Sequence, residues 1–187
     1  MNIEELAVLV FETAEKTGVD FMAVGAFAAG AYGVPRSTRD VDLLVSVTVA
    51  GGVEALVDSL SSVVEFDRQV VFDPLTWGRR LVGKTRSAPP YKVELFEMFD
   101  DPFVVSEFSR RVKVFVPILK RTTWLPTAED VIVQKLRWGR SKDLNDARDV
   151  LAVQGPETLD MAYIESWCAK HGTSTRLADA LAGIPPL

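Results

Sequence analysis

The chain has 187 residues, a net charge of -5 at neutral pH, one cysteine and one histidine. That length buries a sizeable core without disulfide staples, and the acidic balance argues against nucleic-acid binding driven by overall charge, leaving only a local basic patch. Cys168 has no intrachain partner and His171 stands alone, which excludes a Cys/His metal site and leaves oxygen as the only ligand type for a metal.

The start Met-Asn-Ile-Glu-Glu lacks the basic region of a signal peptide, and no apolar run approaches the roughly 20 residues of a membrane span. The expectation is a cytoplasmic protein with no membrane attachment. Ile3, Leu6, Val10 and Ala14 recur at helical spacing and predict a helix over residues 3–16, stopped at Gly18. Residues 21–24 read as a short strand, Gly25 as a turn, and residues 26–32 as an alanine-rich helix ended by Gly33 and Pro35. Residues 40–46 form the next strand, and Leu43, Leu44 and Val45 are apolar on both faces, as in a strand covered on both sides.

Val53, Leu56, Val57 and Leu60 predict a helix over residues 49–60. Strand-like stretches follow at residues 63–66, 70–72, 80–85, 91–98 and 111–116. The last third is helical, over residues 127–138, 142–153 and 157–169, with Thr127 and Ser141 in capping positions. There is no internal repeat and no low-complexity linker. The expected fold is α+β in one compact unit, with a core of sheet and helices over about residues 1–120 and a helical region over 121–187.

On the strand that begins near residue 40, Thr38, Asp40 and Asp42 share one face while Arg39, Val41 and Leu43 take the other. Carboxylates about 6 to 7 Å apart repel, and partial burial raises their pKa values unless a cation is shared. A divalent ion answers this, and with oxygen ligands only, Mg²⁺ is favoured, completed by substrate phosphates. A helix starting at Gly25 or Ala26 would aim free N–H groups and its positive dipole end at such an anion. The glycines do not spell a P-loop or a dinucleotide fingerprint, and Gly30 fits close helix packing. An ordinary half-exposed strand, with Arg36 and Arg39 as surface partners of the acids, accounts for the same alternation.

A glycine at a helix start, then Arg-x-Thr-x-Asp-x-Asp, then a further acid on a later strand resembles the DNA polymerase β-like nucleotidyltransferase superfamily. The segment "VGAFAAGAYGVPRSTRDVDLLV" is especially similar to its minimal prokaryotic members, including the abortive-infection (AbiEii) type. The resemblance implies a nucleotidyltransferase fold with a mixed sheet flanked by helices. It also implies Mg²⁺ held by Asp40, Asp42 and a third acid, and nucleotide contacts from Gly25, Ala26, Arg36, Thr38 and Lys135. Ala26 stands where the family has glycine or serine, so a phosphate-touching hydroxyl is absent there while the backbone N–H remains.

In "YKVELFEMF" the third acid is Glu94, between Val93 and Leu95, with Glu97 as its rival. The resemblance gives it the task of helping to deprotonate an attacking hydroxyl. Lys135 lies at the edge of an apolar helix face, where a lysine either snorkels or points into a cleft. Asp143 and Asp146 lie one turn apart, with Lys142 and Asp146 spaced for an i,i+4 pair, and by spacing alone they read as a solvated face. The abortive-infection likeness instead makes Lys135 a neutraliser of triphosphate charge and Asp146 the residue that orients a lysine or substrate group. Lys135, Arg137, Arg140, Lys142 and Arg148, interrupted by Trp138, read either as a nucleic-acid-facing patch or as an ordinary helix surface around a core Trp138.

Two functions follow from the resemblance. One is Mg²⁺-dependent transfer of a nucleoside monophosphate from an NTP to a hydroxyl of an undetermined acceptor, with tRNA or other RNA, a protein, or a small molecule such as an aminoglycoside as candidates, in a toxin–antitoxin context with a cognate antitoxin. The other is a nucleotide-binding regulatory protein on the same scaffold with little or no turnover.

Overall fold

The computed structural model describes residues 1–46, 51–67, 69, 71–73 and 75–184. Helix α1 (Ile3–Lys16) opens on an Asn2 and Glu5 capping box and buries Leu6, Ala7, Val10, Phe11 and Ala14. Strand β1 (Phe21–Ala23) runs into helix α2 (Gly25–Tyr32), and β2 (Asp40–Val45) returns antiparallel to β1. Helix α3 (Gly52–Leu60) buries Val53, Leu56 and Leu60 as the periodicity predicts, while the expected first turn at residues 49 and 50 lies outside the described residues.

Strands β3 (Val64–Phe66), β4 (Val71–Phe72), β5 (Arg79–Thr85) and β6 (Lys92–Glu97) complete the main sheet. Val70, expected to open β4, lies outside the described residues. The sheet order is β1-β2-β6-β5-β3, with β4 on β5, and the pairing is antiparallel except for the parallel pair β2 and β6. Helix α4 (Pro102–Ser109) follows, then the hairpin β7 (Val112–Val116) and β8 (Arg121–Leu125), and then helices α5 (Ala128–Trp138), α6 (Ser141–Gln154), α7 (Met161–His171) and α8 (Ser174–Ala182).

Three expectations are corrected in this region. Ser141 is the first residue of α6 and Arg140 takes the cap position without a side-chain bond, whereas Thr127 caps α5 by accepting from the Asp130 N–H. The helix expected over 157–169 begins only at Met161, because Asp160 accepts from the Tyr163 N–H and sets the start there. Helix α4 was not expected, although Asp101 accepting from Phe103 and Val104, with Pro102 at the first turn, is a strong helix start.

The alternation of β2 organises the layers. Val41, Leu43 and Val45 are fully buried with Val93 and Leu95 in the main core, which also takes in α1 and the C-terminal helices. Leu44, on the other face, joins Met22, Val104 and Phe108 in a second cluster beneath α4. Asp40 and Asp42 share that second face, where α4 no longer covers the sheet and a cleft opens. Core packing and carboxylate placement are thus two sides of one strand. Leu43→Ala is expected to lower unfolding stability by about 2 to 5 kcal/mol with an unchanged urea m-value, read by chemical denaturation.

Candidate active site

The cleft is lined from the sheet by Asp40, Asp42 and Glu94 and from the helices by Lys135 and Arg140. In the parallel register Asp42 stands opposite Glu94 and Asp40 opposite Lys92, and neighbouring strands lie about 4.8 Å apart. Glu97 falls opposite Val45 and pairs with Arg79 at 3.4 Å, so Glu94 is the acid brought beside Asp42.

Asp42 is the most constrained of these groups. Its Oδ1 is buried without a hydrogen-bond partner, and burial, with Glu94 and Asp40 nearby, pushes its pKa up to about 7. Gly25 sits directly above it: a Cβ there would lie 2.1 Å from Asp42 Oδ2, and the φ of +67° disfavours any side chain. Val24 gives α2 no side-chain cap, so the first-turn N–H groups, including that of Ala26, have no capping acceptor beside the carboxylates.

Cations already crowd the acids. Lys92 Nζ lies 2.6 Å from Glu94 Oε2 and 3.5 Å from Asp40 Oδ1, and Arg80 reaches Glu94 Oε1 at 3.1 Å. Burial works to lower the Lys92 pKa, but its bond to Glu94 and the charges of Asp40 and Asp42 win, and the net shift is upward. The Arg36 and Arg39 of the ordinary-strand explanation do not serve the acids. Arg39 donates to the Pro89 and Pro90 carbonyls and lies over Tyr91, and Arg36 turns to α6. Thr38 Oγ1 accepts from the Asp40 N–H, fixing the entry to β2.

The C-terminal helices contribute an ionic chain. Arg36 Nε and Nη2 donate to the two oxygens of Asp146 at 2.8 and 3.0 Å, and Lys135 Nζ donates to Asp146 Oδ2 at 2.7 Å and to Asp143 Oδ1 at 3.2 Å. Arg140 closes the chain on Asp143. Asp143 and Asp146 are 1% and 5% exposed, so the solvated-face expectation is corrected, and the expected Lys142 to Asp146 pair gives way to Lys135 and Arg36. Burial works to raise the Asp146 pKa, but the bonds from Arg36 and Lys135 hold it below the usual carboxylate range.

The predicted basic cluster divides. Lys135, Arg140 and Lys142 line the cleft, whereas Arg137 is bound to Asp101 at 2.7 Å and Arg148 lies 3.7 Å from Asp149. Trp138 lines the cleft as well, with the Arg140 guanidinium 4.5 Å from its ring centre.

Sequence reasoning missed Lys92, Arg80, Gln134 and Glu107. Lys92 was findable, since it lies two residues before Glu94 on an alternating strand and so shares its face. Arg80 depends on the β5 register, and Glu107 on the docking of a helix that was not expected.

Among the described residues no three His, Cys, Asp or Glu side chains form a preassembled metal cage. The donor set still fits Mg²⁺, which takes one or two carboxylates and completes its shell with substrate phosphates and water. The orphaned Asp42 Oδ1, held among like charges, is the acceptor such an ion would satisfy.

The arrangement of sheet and helices defines a nucleotidyltransferase fold. Among solved structures, that of the antibiotic-resistance factor ANT(2'')-Ia in solution superposes with a TM-score of 0.63 at 13% identity, covering 94% of each chain. The crystal structure of ANT(2'')-Ia with adenylyl-2''-tobramycin gives 0.61 at 16% identity, covering 92% of this chain and 98% of the other. An antigenic nucleotidyltransferase-like protein from Paracoccidioides brasiliensis gives 0.55 at 21% identity, covering 100% and 96%. No family model and no curated protein matches the sequence. Among the described residues no helix is long and apolar enough to cross a membrane.

Two outcomes follow from this electrostatics. Asp42 ionises near 3.8 when unfolded and near 7 when folded, so the folded state binds the proton more tightly. Stability is then lost as pH rises through the interval between those values and is level above it. Metal-free Asp42→Asn is expected to unfold at a higher temperature than wild type at about pH 8 and at the same temperature at about pH 4, by scanning calorimetry. Asp146→Ala leaves the buried Lys135 charge with Asp143 as its one remaining acid and is expected to cost about 3 kcal/mol. The half-buried control Asp149→Ala, whose one ion pair is the 3.7 Å contact with Arg148, is expected to lie within about 0.5 kcal/mol of wild type in the same denaturation series.

Proposed function

We propose that the chain is a Mg²⁺-dependent nucleotidyltransferase that moves a nucleoside monophosphate from an NTP to an acceptor hydroxyl. The observation that carries this reading is Asp42: a buried carboxylate with an unsatisfied oxygen, beside Glu94 and under an uncapped glycine-led helix start. A bound Mg²⁺ would be held by Asp40 and Asp42 with the triphosphate, since both Glu94 oxygens are taken by Lys92 and Arg80, and would supply charge neutralisation for the leaving pyrophosphate.

The chain's own groups do the rest. The N–H groups of Gly25 and Ala26 receive phosphate oxygens at the positive end of α2. Lys135, fixed by Asp143 and Asp146, presents a preorganised positive charge at the cleft wall. Arg36 contributes by holding Asp146, and Thr38 by fixing the start of β2. The acceptor oxygen bonds to the α-phosphorus as the bond to pyrophosphate breaks, and Glu94, oriented by Lys92 and Arg80, takes the hydroxyl proton.

Two likenesses bear on the acceptor. The abortive-infection-type motifs support an RNA acceptor and a cytoplasmic toxin–antitoxin role with a cognate antitoxin, and the tobramycin adduct of ANT(2'')-Ia supports a small hydroxylated amine. A second reading, nucleotide binding with little turnover, is favoured by the missing hydroxyl at Ala26 and by the occupation of Glu94 by Lys92 and Arg80.

With α-labelled NTP, Mg²⁺ and pooled tRNA or amino-sugar acceptors, wild type is expected to label an acceptor at least about a hundredfold faster than Asp42→Asn or Glu94→Gln. Equal rates would sink the enzyme reading, and binding without transfer would support the second. In a readout without turnover, Mg²⁺ with a non-hydrolysable NTP is expected to raise the melting temperature of wild type at pH 8, and to do so less at pH 5, where Asp42 holds its proton.

A further inference from the structure

The hairpin of β7 and β8 carries a surface that no step above uses. Strand β7 pairs with β8 on one side, and among the described residues no strand pairs with its other side. Its outer N–H and C=O groups therefore form an open edge. Val112, Phe115 and Ile118 are large apolar side chains exposed along it, Phe115 by 59%. Neither a proline nor an acid interrupts the strand.

Charge is segregated at the same place. Residues 110–121 hold five cations, Arg110, Arg111, Lys113, Lys120 and Arg121, and no acid, in a chain whose net charge is -5. Two of them serve the interior: Arg110 pairs with Asp130 at 3.2 Å and Arg121 with Glu15 at 2.9 Å. Arg111 reaches the exposed Asp20 at 3.5 Å, and among the described residues Lys113 and Lys120 form no ion pair.

Alternation sorts the groups by face. Lys113 and Phe115 share one face of the hairpin with Trp124, and the Lys113 ammonium and the Arg111 guanidinium lie 5.1 and 5.2 Å from the Trp124 ring centre. Val112 and Val114 take the other face, where Val114 packs on the main core. The edge is thus cationic on one face and apolar on the other.

We propose that β7 accepts a further strand from a protein partner, and that this strand is an extended acidic segment whose carboxylates alternate with apolar residues. Its carboxylates meet Arg111 and Lys113 on one face, and its apolar side chains meet Val112 and Val114 on the other. The backbone edge supplies affinity and the alternating side chains supply specificity, as in other cases of strand addition. A second copy of this chain would bring the same cations to the shared edge, where like charges repel. A nucleic acid would answer the charge and leave the edge N–H and C=O groups and the valine face unused. The inference is independent of the nucleotide reading of the cleft.

The test is fluorescence-anisotropy titration of the whole protein with the labelled, end-capped peptide Glu-Val-Glu-Val-Glu-Val-Glu and with its counterpart carrying Lys for every Glu. Wild type is expected to bind the acidic peptide at least about tenfold more tightly than the basic one, and Lys113→Glu combined with Lys120→Glu to lose that preference. Melting curves verify that the variant is folded. Two further acidic peptides, N-methylated at either the glutamate or the valine amides, separate strand addition from bare charge attraction. Successive residues of a strand turn their N–H groups to opposite sides, so one of these peptides is expected to lose binding and the other to keep it.

Absence of binding by the acidic peptide overturns the proposal, as does equal binding by the two methylated forms or a preference that the double variant leaves unchanged. Tighter binding of a uridine oligonucleotide of the same charge assigns the patch to nucleic acid and overturns it as well. Wild type is expected to sediment as a monomer, and a dimer that Phe115→Lys splits would give the edge to a second copy instead.

Discussion

The structure turns on the confinement of the Asp42 carboxylate between a glycine and a facing glutamate. A side chain at position 25 would collide with it, Glu94 repels it across the parallel strand pair, and its buried Oδ1 has no donor. A fold assembled only for stability would place an apolar residue here, since a buried unpaired carboxylate costs more than it returns. That the same strand carries fully buried Val41, Leu43 and Val45 on its other face means the core must fix this strand before the acid can be held in place. Strain of this kind is stored where surrounding packing over-determines it.

The C-terminal helices answer a second constraint, which is to bring positive charge to the cleft without letting it collapse onto those acids. Lys135 is almost fully buried, so it needs counter-charges, and Asp143 and Asp146 supply them from the adjoining helix rather than from the sheet. Arg36, from the segment between α2 and β2, grips Asp146 with two bonds and so couples the helical region to the strand that carries the acids. Such networks contribute little net stability compared with apolar packing. What they contribute is position, because Lys135, Asp143 and Asp146 are each held by two charged partners.

How far the site was legible follows from which interactions are local. The Asp40 and Asp42 pair, the Gly25 helix start and the covered strand at Leu43 to Val45 are read from spacings of one to four residues, and the fold bears out that local geometry. The choice of Glu94 over Glu97 needed the register of β2 against β6, which no local pattern fixes. Asp143 and Asp146 were misread as a solvated face because charge patterning on a helix cannot tell a solvent-facing stripe from one buried against a lysine and an arginine. Glu107 is invisible for a further reason: its place in the cleft depends on the docking of α4, even though that helix's own start signal, Asp101 followed by Pro102, is legible.

The cleft's unsatisfied atoms give the two ends of this site a common logic. Asp42 Oδ1, Arg80 Nε and Gln134 Oε1 are all buried without partners, and all belong to residues lining one cleft. Orphaned groups are tolerated in a folded protein where a ligand supplies the missing partners. Each asks for something different: the carboxylate oxygen for a cation, the guanidinium nitrogen for an acceptor such as a phosphate oxygen, the amide oxygen for a donor. A metal-bound nucleotide is a single ligand that carries all three. The apolar walls between Gln134 and the acids make water a poor substitute, since a water stationed there would find polar partners only at the ends. The burial that leaves these three groups without partners is therefore what favours the proposed ligand over solvent.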